Sequence, residues 1–175
     1  MDIKEILRKH TMWLNNDAGG ERANLCGADL SNANLSNANL CGADLSNVDL
    51  CGAKNMDKLT RSIYTVFYPI QCPEEGEYVA WKKAANKIVK LKITESAKRS
   101  SATSRKCRAS EALVLDIQSV DGKEHFSEVA SDRDSKFIYR VGEIVRVNDF
   151  DEDRWNECSA GIYHFITREE AVKYD

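Results

Sequence analysis

No run of apolar residues in this 175-residue chain is long enough to span a bilayer, and nothing near Met1 has the make-up of a signal peptide. None of the six cysteines stands in a C-x-x-C pair, so the usual zinc and dithiol spacings are missing. Neither charge sign dominates, with 25 Lys and Arg against 28 Asp and Glu; bulk electrostatics therefore do not mark a nucleic-acid binder, and any recognition is local. There is no Gly-rich phosphate loop of Walker spacing. With no framework to pair them, the cysteines are expected to be reduced thiols in a cytoplasm. At 42% hydrophobic and 30% charged, the chain has material for one or two domains with a real core.

What is present first is monotony. "ANLCGADLSNANLSNANLCGADLSN", starting at Ala23, carries a leucine at every fifth position, Leu25, Leu30, Leu35, Leu40 and Leu45, and Leu50 continues the beat just beyond it. Two positions before each stands a small residue, namely Ala23, Ala28, Ala33, Ala38, Ala43 or Val48. A period of five suits neither a helix nor a flat strand. It marks a repeat architecture, in which no unit buries its leucine alone and successive units wind about a shared axis.

The pattern resembles the pentapeptide-repeat family, A-(D/N)-L-x-x. The resemblance implies a right-handed quadrilateral β-helix in which four repeats complete a coil around Ala and Leu. Six full repeats run from Ala23 to Gly52, followed by a frayed seventh. Long coils of this family can imitate duplex DNA, which needs dense outward charge. Here the residue before each leucine is Asn24, Asp29, Asn34, Asn39, Asp44 or Asp49, and three carboxylates make a weak decoy. Cys26, Cys41 and Cys51 belong to repeats one, four and six, hence to three different faces, and are not expected to share a metal.

The flanks are consistent with that reading. In "MDIKEILRKHTMWLNN" the residues Ile3, Ile6, Leu7, Trp13 and Leu14 fall on one side of a helix that Asn15-Asn16 and Gly19-Gly20 end. Residues 1–20 thus read as a helix capping the coil, with His10 a packing residue, and 21–62 as the repeats and a linker. From 63 to 175 the chain changes to short runs rich in β-branched and aromatic residues: "IYTVFYPI", "YVAWKK", "IVKLKIT", "EALVLDI", "FIYRVGEIVRV" and "GIYHFIT". Thr167 and Glu170 have the spacing of a capping box and open a short helix. The expected fold is mainly β, a short β-helix with its capping helix followed by a small β-rich α+β domain. "CPEEGEYVAWKK", "AKRSSATSRKCRASEA" and "GIYHFITREEA" are similar to a domain found at the C-terminal end of phage and prophage pentapeptide-repeat proteins. That resemblance implies a viral origin and carries over no catalytic residue.

The segment "AKRSSATSRKCRAS", read as a loop over 97–110, holds Lys98, Arg99, Arg105, Lys106 and Arg108 and no acid. With Ser100, Ser101, Thr103 and Ser104 it has the parts of a phosphate site. The competing readings are a solvated basic loop, or neutralisation by the acidic run Asp149, Asp151, Glu152, Asp153 and Glu157. The acidic run has the opening alternation of an EF-hand but Arg154 and Ala160 where that loop requires Gly and Glu, so calcium is not expected. Cys107, between Lys106 and Arg108, is a candidate thiolate nucleophile with His125, His164 or Cys158 as partner, and Trp155, Tyr163, His164 and Phe165 a candidate stacking surface.

The sequence favours a binder over an enzyme, with no cofactor and no metal. The first expectation is a non-catalytic phage-type interaction protein that inhibits or redirects a host protein or nucleoprotein, a defence component among the candidates. The alternative is capture of a small phosphorylated ligand, such as a signalling nucleotide, by Lys98, Arg99, Ser100, Ser101, Arg105, Lys106 and Arg108. Direct duplex DNA binding and membrane binding are not expected; the sequence leaves the oligomeric state open, an uncapped coil end or an exposed aromatic such as Tyr64, Phe67 or Tyr68 being able to make a homodimer.

Overall fold

A computed structural model describes residues 2–35, 37–62, 64–67 and 69–174. The chain is mainly β and divides into two compact units. The first holds residues 1–70 together with 102–104 and 153–158, and the second holds 71–101, 105–152 and 159–175. No described helix is long and apolar enough to cross a membrane.

In the first unit the period of five is a backbone property before it is a packing one. Each leucine carbonyl accepts from the amide three residues on, as in Leu25 to Ala28, Leu30 to Ala33 and Leu45 to Val48, closing a tight turn. The third residue of these turns needs positive φ, and the sequence supplies Gly27, Asn32, Asn37, Gly42, Asn47 and Gly52 there, at φ between 55° and 74°. The Asn or Asp before the leucine fastens the corner: Asn24, Asp29, Asn39, Asp44 and Asp49 each accept the amide two residues on. Hydrogen bonds from Ser31 and Ser46 hold Asp29 and Asp44 below the usual carboxylate range. These carboxylates are spent on their own turns.

Parallel bridges join Asn24 with Asp44, Asp29 with Asp49 and Asn34 with Lys54, so the chain returns alongside itself after four repeats. All six leucines are buried on one side, with Ala23, Ala28, Ala43 and Val48 between them. The helix α1 (Ile3–Leu14), N-capped by Asp2, lays Ile3, Ile6 and Leu7 on this core. His10 is fully buried, accepts the Ala23 amide on Nδ1 at 3.1 Å and stacks on Trp13, which accords with a packing role.

The run 63–70, expected as a strand of the second domain, is not one. Ile63 and Tyr68 lie outside the described residues, and Val66 makes a parallel bridge to Asp44, exchanging hydrogen bonds with Ala43 and Leu45. The β-branched residue thus continues the coil. Two remote pieces complete the same core. Ala102 and Trp155 are buried in it; the Asn47 amide donates to Thr103 O at 2.8 Å, the Thr103 hydroxyl donates to Val48 O, and Cys51 Sγ donates to Asn156 Oδ1 at 3.6 Å.

The second unit is built on an antiparallel sheet of β1 (Tyr78–Ala84), β2 (Lys87–Ile93), β5 (Glu111–Ser119) and β8 (Ile144–Arg146), in that spatial order. Ala85 and Asn86, both at positive φ, make the two-residue turn between β1 and β2. A second sheet orders β3 (Arg99–Ser101), β4 (Cys107–Ala109) and β9 (Ile162–His164), and β6 (Glu128–Ala130) pairs with β7 (Ile138–Arg140). One face of the large sheet, with Ala80, Val89, Leu91, Ile93, Ala112, Val114 and Ile117, is the core. On the other face Ile88 and Trp81 are covered by Phe165 and by α2 (Arg168–Lys173). The capping box of α2 is present as expected: the Thr167 hydroxyl accepts the Glu170 amide, and the Glu170 carboxylate accepts the Thr167 amide.

Candidate functional site

The basic segment is not a loop. Its ends are the hairpin β3–β4, with Arg99 paired to Ala109, Ser100 to Arg108 and Ser101 to Cys107. Both faces of the hairpin are covered, β4 being buried at all three positions, and two of the five cations are drawn in, one on each face. Arg99 donates to five carbonyls, those of Pro73, Gly76, Thr94, Glu95 and Ala97, at 2.7–3.3 Å, and lies over the Tyr78 ring. Arg108 is 3% exposed, donates to Ser159 Oγ and Ala160 O and stacks on Phe150. A guanidinium that satisfies carbonyls is a backbone clasp.

The remaining members are placed as follows. Ser100 is buried, its Oγ without a partner among the described residues, and Ser101 Oγ accepts the Gln71 amide at 2.7 Å. Arg105 pairs with Glu170 at 2.7 Å, and Lys106 lies over the rings of Tyr163 and Tyr174. Lys98 pairs with Glu152, so one acid of the run 149–157 does neutralise one base. Beside that pair lies an open cleft of about 310 Å³ lined by Glu74, Glu95, Glu152, Lys98, Arg99, Ala97 and Phe150. Three carboxylates against two cations is a poor setting for a phosphate. The aromatic set does not form one surface: Trp155 is core of the first unit and Phe165 packs under α2.

What the hairpin does bring together is a buried row of titratable groups. Cys107 is the cross-strand partner of His164, and the Tyr78 hydroxyl lies 3.0 Å from His164 Nε2. His164 Nδ1 lies 3.0 Å from Ile162 O and donates to it, which leaves Nε2 to accept the Tyr78 proton. Cys72 is buried beside this row, and Cys107 Sγ donates to Arg105 O at 3.8 Å. Contact with Cys107 brings the Cys72 thiol down to about 7, with Tyr78 and the Arg99 cation acting in the same direction against burial. The same contact, together with burial, pushes Cys107 up.

Of this row the sequence reading had Cys107 and His164 as candidates and missed Cys72 and Tyr78. Neither lies near them in the chain, and no local signal marks the contact. His125, the other candidate base, is on the far side of β5 in sequence and is held by Asp116 at 2.9 Å.

Burial drives His164 down to about 4 from its ordinary 6.5, and this has a sign. Above the ordinary value both folded and unfolded chains hold it neutral. Below it the unfolded chain binds a proton that the folded one refuses, so stability is lost as the pH falls toward 4, by roughly 3 kcal/mol. Urea midpoints at neutral pH and near pH 4.5 check this. His164→Gln, which keeps an acceptor for Tyr78, should flatten the dependence, and an equal acid loss in both proteins would remove His164 as its source.

Two family models match the chain, and no curated protein and no solved structure does. The model described as Pentapeptide repeats (8 copies) matches residues 21–54, the stretch of five-residue turns. Residues 68–171, which include the nine strands of the described residues and the buried Tyr78–His164 pair, match the model described as Family of unknown function (DUF5758), and since this is more than half of its length, the chain belongs to that family.

Proposed function

We infer that this protein is a non-catalytic interaction protein, of a kind carried by phage, that acts in a bacterial cytoplasm by holding and blocking or redirecting a host protein. The repeats are read as the beginning of a right-handed quadrilateral β-helix too short to act as a charged decoy.

One row of side chains carries the reading. Val79, Lys92, Leu113 and Ile144 are successive cross-strand partners on β1, β2, β5 and β8 and so share one face. Val79 and Ile144 are each 43% exposed, and the residues of the α2 cluster cover Ile88 and Trp81 elsewhere on that face. Exposed apolar side chains on three of the four strands, interrupted by a single lysine, have the character of a protein-binding surface. The small-ligand alternative has the weaker support, because Arg99 and Arg108 spend their donors on carbonyls and the adjoining cleft is acid-rich.

The test is capture of host proteins by the wild-type chain and by Val79→Glu/Ile144→Glu. The expected result is a partner bound about thirtyfold more weakly by the variant, with the melting temperature unchanged. The reading falls if both proteins retain the same partners, or if native mass spectrometry finds a small anion that neutralising Lys98, Arg105 and Lys106 releases.

A further inference from the structure

The helix α1 is fastened to the coil at its C-terminal half by a fold-back of the chain. Residues 15–22 return along the helix: the Glu21 amide donates to Lys9 O at 3.1 Å, and the Glu21 carboxylate pairs with Lys9 at 2.9 Å. Gly20 runs so close that a Cβ there would stand 2.3 Å from Trp13 N, which excludes any side chain. The first repeat then starts at Ala23, a buried residue whose amide donates to His10 Nδ1 at 3.1 Å. One imidazole thus joins the helix to the first residue of the coil.

That bond fixes the tautomer. A ring nitrogen that accepts an amide proton carries none of its own, so the proton of neutral His10 sits on Nε2. Nε2 is buried and has no partner among the described residues. The ring itself has no exposed surface, and Trp13 stacks on it with centroids 5.4 Å apart. The same indole would meet a Cβ on Gly42, in the fourth repeat, at 3.5 Å.

A second proton on this ring would go to Nδ1, turning the acceptor into a donor that faces the Ala23 N–H. The charged groups around it offer little compensation. Lys9 of the helix and Arg22 of the returning segment are cations; Glu21 is engaged by Lys9, and Asp44 of the coil by Ser46. Burial holds His10 below its ordinary 6.5, and the Arg22 cation acts in the same direction, with the Cys41 carbonyl opposing them.

We propose that His10 is a latch worked by protons: in mildly acidic solution it takes one up, gives up the Ala23 amide and frees α1, uncovering the part of the coil core on which Ile3, Ile6 and Leu7 lie. Neutral His10 is the form the closed state holds. Above the ordinary value of about 6.5 the closed and open states bind the same number of protons. Below it the open state binds one more, and each further pH unit, down to the depressed value of the closed state, favours opening by about tenfold. The latch belongs to the first unit, whereas His164 belongs to the second, and it is independent of the protein-binding reading of the sheet face.

Hydrogen exchange of the full chain, read by mass spectrometry at about pH 7.5 and about pH 5 and corrected for the intrinsic rate, is the test. Protection of α1 should fall about tenfold between the two in the wild type, and by less than about twofold in His10→Gln, whose side-chain oxygen accepts the Ala23 amide without titrating. Equal losses in both proteins, or undiminished protection of α1 in the wild type at the lower pH, overturn the proposal. Nuclear magnetic resonance of the wild type decides the matter should the variant open at neutral pH. The His10 ring and the α1 amides should titrate with one midpoint, and separate midpoints remove His10 as the latch.

Discussion

Replacing Leu45 with alanine should lower the stability of the first unit by about 2–5 kcal/mol. Leu45 has no exposed surface, and it stands on the middle level of the coil: the bridge of Asp44 to Asn24 runs on one side of it and that of Asp44 to Val66 on the other. Levels above and below prevent the gap from collapsing, and a cavity that cannot collapse takes the upper part of the range. Fluorescence reads the result, since Trp13 and Trp155 belong to the first unit and Trp81 to the second. Cys26→Ser, at an exposed corner of the same coil, should shift the urea midpoint by no more than about 0.5 kcal/mol in stability. Equal effects from the two substitutions would refute the layered packing described for the leucines.

Arg108→Ala should cost the second unit roughly 3 kcal/mol. The side chain fills the space between Phe150 and Gly161, and a Cβ on Gly161 would come within 3.0 Å of it. Its loss leaves a void there and takes a donor from Ala160 O and Ser159 Oγ. Lysine should rescue little, because an ammonium cannot reproduce the planar fork that meets both acceptors. Lys98→Ala, by contrast, breaks only an exposed pair with Glu152 and should change stability by less than about 1 kcal/mol. Chemical denaturation of the three variants checks the order, and a neutral Arg108→Ala would return this cation to the list of ligand candidates.

These two results bear on what was readable in advance. The leucine beat was plain because every repeat solves one local problem, a turn with positive φ at its third position and an apolar group behind it. Thr167 and Glu170 were equally local, and so were the alternating strands 78–84, 87–93 and 111–119. The hairpin 99–109 was opaque for a physical reason. Arginine and serine read as solvent-facing, yet Arg99 and Arg108 face inward because carbonyls of loops remote in sequence need donors. The same non-locality hid Cys72 and Tyr78. It also misled at 63–70, where Val66 meets the β-branched preference of a strand but spends it on the coil.

The pieces 102–104 and 153–158 give the coil a schedule. A chain leaves the ribosome at about 5–20 residues per second, so Trp155 follows Leu50 by something on the order of ten seconds. Until residues 102 and 103 emerge the seam lacks Ala102 and the Asn47 amide has no Thr103 carbonyl to meet, and until Trp155 follows the seam lacks its ring. The repeats are made ahead of all the strands that follow them, yet are completed only when Trp155 has emerged. A genetic exchange that transplanted residues 1–70 alone would move the spiral without its closing stitches, which binds the inheritance of the repeats to that of the sequence following them.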